Sequence, residues 1–255
     1  MWWGRKDKVE YEVFPLGSDT GTPLTTQKRI GFVRKYVSLE NKCILDAGCG
    51  ADAYVAEFMK YSNKTFGCEY QLEKIKKYHS DTGNNNIVCG SVEDLCFPDK
   101  MFDLVFSNEV LEHINDDKAA LNEMHRALNI DGLLFIFTPN RLYPLETHGC
   151  YTIKGKRIPS RFPFISYIPD RIAKHFLVFS NRNYFYGELS RKLENAGFDI
   201  IAYHPVWQTF SNSTGKQSKI TKILSPIFRY IASTLERTPY INKFGISHLF
   251  ICKIR

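Results

Sequence analysis

No run of about 18 uncharged apolar residues occurs in this 255-residue sequence, and a helix needs roughly that length to cross a bilayer. The first residues, MWWGRKDKVEYEV, carry charge where a secretory signal needs an apolar stretch, so a cytoplasmic location is expected. Seven cysteines are an odd number and none is spaced as CxxC. Several of them (Cys43, Cys68, Cys89, Cys252) sit in strand-like apolar runs, which argues for reduced core thiols; no metal ligand set is expected. Internal repeats and low-complexity tracts are also missing, so a solenoid or an extended linker is not expected.

Acidic residues are scarce in two places. Between positions 141 and 182 there are eight basic residues against two acidic ones, and between 211 and 245 six against one. The formal net charge of the chain is +7, so the remainder is net acidic and the basicity belongs to these two stretches. With 44% hydrophobic and 14% aromatic residues, one substantial core can be buried.

What is present begins with CILDAGCGAD, residues 43–52. A short apolar run leads to Asp46, then to Gly48 and Gly50, and then to a helical pattern. This describes a strand, a tight turn and a helix start that lets a nucleotide-like ligand approach the backbone, since glycine has no Cβ and tolerates positive φ. A pyrophosphate would be opposed by Asp46, whereas a ligand with a cationic end would be favoured. Glu69 closes the next apolar stretch 23 positions later, near the spacing at which an acidic residue takes a ribose hydroxyl pair.

Further elements alternate along residues 43–140. Strands are expected at Cys43–Asp46, Lys64–Glu69, Asn86–Gly90, Phe102–Ser107 and Leu133–Phe137. Helices are expected at Ala53–Lys60, Leu72–Tyr78 and Asp117–Leu128, with a turn from Asn129 to Gly132. An earlier helix covers QKRIGFVRKYV; later come a helix at Tyr186–Ala196 stopped by Gly197, and strands at Phe198–Tyr203 and Ser247–Ile251. The alternation predicts an α/β fold with a doubly wound, mostly parallel sheet and ligands beyond the carboxyl ends of its strands.

With GSVEDLCFPDKMFDLVFSNEVLEHI at 90–114, the sequence resembles the class I S-adenosylmethionine-dependent methyltransferases, in particular the group with an LDxGCGxG first motif and an FDLV…EVLEH fourth motif. The resemblance runs from about Cys43 to Asn140. It implies a Rossmann-like seven-stranded sheet ending in an antiparallel hairpin, with helical lid insertions. A single domain over 1–255 is expected: an N-terminal segment 1–42, a cofactor-binding core 43–140, and substrate insertions 141–185 and 207–246. The cofactor implied is S-adenosylmethionine, leaving as S-adenosylhomocysteine.

On that resemblance Asp46, Gly48, Cys49 and Gly50 underlie the methionine part, and Glu69 accepts the ribose hydroxyls. Tyr70 either lies against the adenine or only packs. Two departures stand out. Asp52 replaces the usual third glycine and suits a helix cap. Ser91 replaces an aspartate that bonds the adenine amine, leaving that contact to Glu93 or the Val92 backbone. Asn108, Val110 and His113 lie past the fourth strand, where the methyl should point, and His113 is either a shelf for the cofactor or a base.

The loop TPNRLYPLETHG gathers Asn140, Tyr143, Glu146 and His148. His148 is the first candidate for the general base and Glu146 its orienting or alternate partner; bracing of the loop is the competing role. The basic insertions interleave Lys and Arg with aromatics, and Ile220, Ile223, Leu224, Ile227 and Ile231 form one helical stripe. Such segments can close over a substrate or lie on an anionic membrane. The expected acceptor is a hydroxyl of a membrane-associated or lipid-linked small molecule, such as a glycolipid or quinone precursor, with possible peripheral contact at the inner membrane face. A soluble anionic metabolite is the alternative. Nucleic acid is not the expected partner, because the place of an NPPY-type tetrapeptide reads SNEV.

Overall fold

The fold was analysed in a computed structural model, which describes residues 23–50, 53–146, 148–159, 162–207, 227 and 230–255. Helix α1 (Pro23–Val33) leads into β1 (Ile44–Ala47), α2 (Ala53–Phe58), β2 (Thr65–Glu69), α3 (Leu72–Thr82), β3 (Ile87–Cys89), β4 (Phe102–Asn108), α4 (Asp117–Ala127) and β5 (Leu128–Pro139). The later elements are β6 (Cys150–Thr152), β7 (Arg157–Ile158), α5 (Asp170–Ala173), β8 (Leu177–Phe179), α6 (Tyr186–Asn195), β9 (Phe198–Val206) and β10 (Ser247–Ile254). Residues 230–237 are also helical.

Seven strands form one sheet in the order β3-β2-β1-β4-β5-β10-β9. The first five run parallel, whereas β10 is antiparallel to both β5 and β9. The alternation of side chains along central strands explains why both faces need cover. Leu45, Val105, Ile136 and Phe250 face α4 and α6 through Leu121, Met124, Leu189 and Leu193. Their neighbours Ile44, Leu104, Phe106, Phe135, Phe137, Leu249 and Ile251 face α1 and α2 through Ile30, Val33, Tyr54 and Phe58. Each fully buried side chain of this size contributes about 1.5–3 kcal/mol, so the doubly wound arrangement follows from strands that are apolar on both sides.

Local signals set the helix ends. Asp116 accepts a hydrogen bond from the Ala119 amide at 3.0 Å, the side-chain cap of α4. Gly83 ends α3 in the left-handed region. The expected turn at Asn129–Gly132 lies inside β5. Phe102 pairs with Leu128 and Leu104 with Leu133, so the strand accommodates the turn-forming residues in a register shift.

The first insertion is built on a small antiparallel sheet, β7-β6-β8, over a satellite core of Cys150, Ile165, Ala173 and Leu177. Its helix α5 is a single turn. In the second insertion, Lys28 of α1 meets Glu236 at 2.9 Å. Ile220, Ile223 and Leu224 of the expected stripe, and Asp52 as a helix cap, lie outside the described residues; Ile227 and Ile231 are exposed. Among the described residues no helix is long and apolar enough to cross a membrane.

Candidate active site

The carboxyl ends of β1, β2, β4 and β5 meet along one edge of the sheet. After β1, Gly48 has φ 84° and Gly50 φ 59°, a conformation that strains any side chain. A Cβ on Gly48 would stand 2.5 Å from the Val110 side chain, so this position is closed to other residues by space as well as by φ. The Gly48 and Cys49 amides both donate to the Cys68 carbonyl, at 2.9 and 3.0 Å, binding the turn to the end of β2.

That end carries Glu69, which is buried. One of its oxygens accepts the Gly50 amide at 3.0 Å and the other accepts the Gln71 amide at 2.9 Å. A carboxylate has about four lone-pair sites, so two further donors can still be accepted. Asp46 is buried beside it, and its Oδ2 has no hydrogen-bond partner. Burial, then the charge of Glu69, pushes the Asp46 carboxyl well above the ordinary range. A bare, buried acceptor next to a pinned carboxylate is suited to an ammonium or another cationic donor.

Of the other expected cofactor residues, Cys49 is buried and its thiol is pushed far up by burial. Tyr70 is exposed, and its hydroxyl accepts from Gln71. Ser91 Oγ accepts from the Glu93 amide at 3.1 Å, forming a local turn. Val92 and Val110 are packed in the core. The Glu93 carboxylate accepts the Asn115 and Asp116 amides at 3.0 and 2.6 Å, so it braces the approach to α4.

At the end of β4 the chain turns sharply. Glu109 takes φ 55°, an uncommon left-handed conformation for this residue and one that is concentrated at functional sites. Its carboxylate meets Arg29 at 3.0 Å and accepts from Ser247 at 2.7 Å. Arg29 comes from α1; it also bonds Asn108 and lies over the Phe137 ring at 4.7 Å. Burial would raise the Glu109 carboxyl, but the Arg29 guanidinium, the nearby His148, the hydrogen bond from Ser247 and the adjacent Glu112 carboxyl together outweigh it and hold the group below the ordinary range. Glu112, three positions on, is fully buried, and burial together with the Glu109 charge pushes its carboxyl well up.

His148 reaches the same place from the loop after β5: one ligand atom each from Glu109, Glu112 and His148 lies within 4.8 Å of the others. The His113 and His148 rings stand edge to face with centroids 6.3 Å apart. Glu146 is tied to the backbone instead. It accepts the His148 and Gly149 amides at 2.9 and 3.3 Å and the Asn183 side chain at 3.1 Å, so it orients His148 through the main chain rather than through the ring. Asn140 donates to the Lys243 and Gly245 carbonyls at 2.8 and 2.7 Å, and Tyr143 is buried.

Sequence reasoning missed Arg29, Glu109, Glu112 as a site carboxylate, and Ser247. Glu109 and Glu112 were visible as the two acids of NEVLEH, but Arg29 and Ser247 arrive from 80 positions before and 138 positions after Glu109, and no local pattern marks them.

The fold and this edge define a nucleotide-type cofactor domain with acids at successive strand ends. Residues 45–136 match the family model described as a methyltransferase domain, and over that segment the chain resembles S-adenosylmethionine-dependent methyltransferases. A probable S-adenosylmethionine-dependent methyltransferase of Mycolicibacterium smegmatis is 26% identical over 147 residues, covering 54% of this chain and 57% of that protein. The ubiquinone biosynthesis O-methyltransferase of Hydrogenovibrio crunogenus is 28% identical over 120 residues, covering 45% and 50%. The chain thus spans about half the length of the curated relatives it matches. Among solved structures, an S-adenosylmethionine-dependent methyltransferase from Mesorhizobium loti superimposes with a TM-score of 0.59 at 15% identity, over 89% of this chain and 97% of that one, a likeness of fold.

Proposed function

We propose that this protein methylates a hydroxyl group of a small acceptor that is membrane-associated or lipid-linked, using S-adenosylmethionine. The cofactor suits the residues present: Glu69 has acceptor capacity left for two ribose hydroxyls, and the bare Asp46 oxygen suits the methionine ammonium, reached directly or through water. Gly50 leaves its backbone open to close approach, while Gly48 lets the turn pack against Val110. When bound, the cofactor supplies a methyl group on a positively charged sulfur, an excellent leaving group.

The protein's own tasks are then to align the acceptor oxygen within about 3–3.5 Å of that methyl and to have its proton removed. The cluster of Glu109, Glu112 and His148 is the basic and anionic surface at the ends of β4 and β5 where that proton would be handled. Glu146 keeps His148 in place by holding its amide.

The observation that carries the acceptor class is the outer surface of the first insertion. Ile153, Phe162, Phe164, Ile172 and Phe176 are exposed among Lys154, Lys156, Arg157, Arg171 and Lys174. Exposed aromatics interspersed with cations favour an interface between anionic headgroups and acyl chains. The name of the Hydrogenovibrio crunogenus relative, an O-methyltransferase of ubiquinone biosynthesis, agrees with a hydroxyl on an apolar acceptor.

The test is incubation with methyl-labelled S-adenosylmethionine and a lipid-containing extract of the source cells, followed by phase partition. Label in the organic phase, absent with Glu69→Ala, is expected. Label confined to the aqueous phase would turn the reading to a soluble anionic metabolite or RNA.

A further inference from the structure

Glu109, Glu112 and His148 form more than a patch of charge. Glu109 and Glu112 project from one turn, three positions apart, and His148 comes from a separate loop, yet a ligand atom from each lies within 4.8 Å of the other two. Three ligand atoms spread evenly round a small divalent ion stand about 3.8 Å from one another for a bond of roughly 2.2 Å. Atoms that lie within 4.8 Å of one another therefore need to close by no more than about 0.6 Å each to share one ion.

A second observation is independent of that spacing. Glu112 is fully buried, and neither carboxyl oxygen has a hydrogen-bond partner among the described residues. Buried polar groups are nearly always bonded, and leaving both oxygens of a carboxyl bare is costly. The guanidinium of Arg29 and the hydroxyl of Ser247 fix the neighbouring Glu109 carboxylate in place. His113 Nε2 lies 3.9 Å from Glu112 Oε1. One locked carboxylate, one carboxyl whose two oxygens are bare among the described residues, and an imidazole thus converge on one point.

We infer that Glu109, Glu112 and His148 hold a divalent cation, with His113 at its rim. Two carboxylates and an imidazole suit first-row ions such as Mn²⁺, Fe²⁺ or Zn²⁺ better than Ca²⁺, which prefers oxygen ligands throughout. Three protein ligands leave coordination positions open, and the chemistry that fits them is a hydroxyl oxygen, or an adjacent pair of hydroxyls, on the acceptor. A cation lowers the pKa of an oxygen it binds, so the acceptor proton can pass to water and His148 acts as a ligand rather than as the base. This use of the cation rests on the methyl-transfer reading; binding of the cation does not.

Mn²⁺ titration of the cofactor-free full chain, followed by the electron paramagnetic resonance of the free ion, tests the inference. One saturable site per chain is expected. Glu112→Gln and His148→Ala should each raise the dissociation constant at least ~10–100-fold, while S-adenosylmethionine still raises the Tm of both variants and so reports that they are folded. Absence of saturable binding up to millimolar Mn²⁺, or equal binding by the wild type and both variants, would overturn it. A wild-type chain that binds Mn²⁺ but shows no thermal shift with S-adenosylmethionine would instead overturn the cofactor reading and leave the cation site standing.

Discussion

Two pairs of carboxyl groups, all buried except Glu109, which is nearly so, lie along the same sheet edge and are held in different ways. At the ends of β1 and β2, Glu69 is pinned by two backbone amides while Asp46 keeps a bare oxygen. At the end of β4, Glu109 is pinned by the Arg29 and Ser247 side chains while Glu112 has two bare oxygens. Each pair thus has an anchored member and an unsatisfied one, the arrangement expected where a ligand supplies the missing partner. The anchors differ in kind. Backbone amides come with the strand-turn-helix itself, whereas Arg29 and Ser247 must be delivered by α1 and β10.

That difference is sharpest in Arg29→Ala. Removing one partner of a buried ion pair leaves an uncompensated charge and costs about 3–5 kcal/mol. Both side chains of this pair are nearly buried, at 5% and 9% exposure. Urea unfolding at neutral pH should show a loss of that size, and a double-mutant cycle with Glu109→Gln should recover much of it. A loss below about 1 kcal/mol would mean that the β4 pair does not depend on its side-chain anchor.

Glu69→Ala attacks the other pair at its anchored member. Charge-assisted hydrogen bonds contribute about 1.5–3 kcal/mol each, so losing two from the ribose should weaken S-adenosylmethionine by at least ~100-fold and erase its thermal shift. An unchanged shift would remove Glu69 from the cofactor geometry.

Asp46→Asn should have the opposite effect on stability. Its carboxyl is pushed up by burial and then by Glu69, so the folded state holds a proton that the unfolded state releases. Stability from this group is present at acid pH and declines as pH rises from the unfolded value, about 3.9, toward the folded one. The asparagine variant, which cannot ionise, should therefore be more stable than wild type above about pH 5, by roughly 0.5–2 kcal/mol at neutral pH, while binding S-adenosylmethionine less tightly. Calorimetric melts across pH 4–8 would reveal this; a variant less stable than wild type at every pH would show that the Asp46 carboxylate is satisfied within the fold.

The same contrast explains what the sequence discloses. The first pair is legible because its anchor is local: ILDAGCG and TFGCEY each read as a strand ending in an acid, and the glycines mark the turn. The second pair was half legible. His148 stood out in its loop and the two acids in NEVLEH, but the contact between them depends on β5 lying beside β4, and the anchor depends on α1. The expected helix from Asp117 and the strand from Phe102 agree closely with α4 and β4, because capping and burial on both faces are short-range signals. The turn at Asn129–Gly132 was misplaced as an interruption, since pairing with β4 draws those residues into a bulged strand. Tertiary pairing overrode local propensity there.

The smallest stability effect is expected farthest from either pair, on the first insertion, where Phe162 and Phe164 are more than half exposed. Replacing both with serine removes apolar surface that packs on little, so unfolding free energy should change by no more than about 0.5 kcal/mol, and affinity for S-adenosylmethionine should not change. Sedimentation with anionic vesicles should nevertheless fall several-fold, because each aromatic would lose its burial at the acyl boundary while the lysines and arginines keep only their screened attraction. Salt separates the two contributions: binding by wild type should persist in part at high ionic strength, and binding by the double variant should vanish. Equal sedimentation of the two proteins at every salt concentration would make the aromatic surface irrelevant to membranes and shift the acceptor toward a soluble molecule. The sheet-edge pairs and their cofactor chemistry would be unaffected.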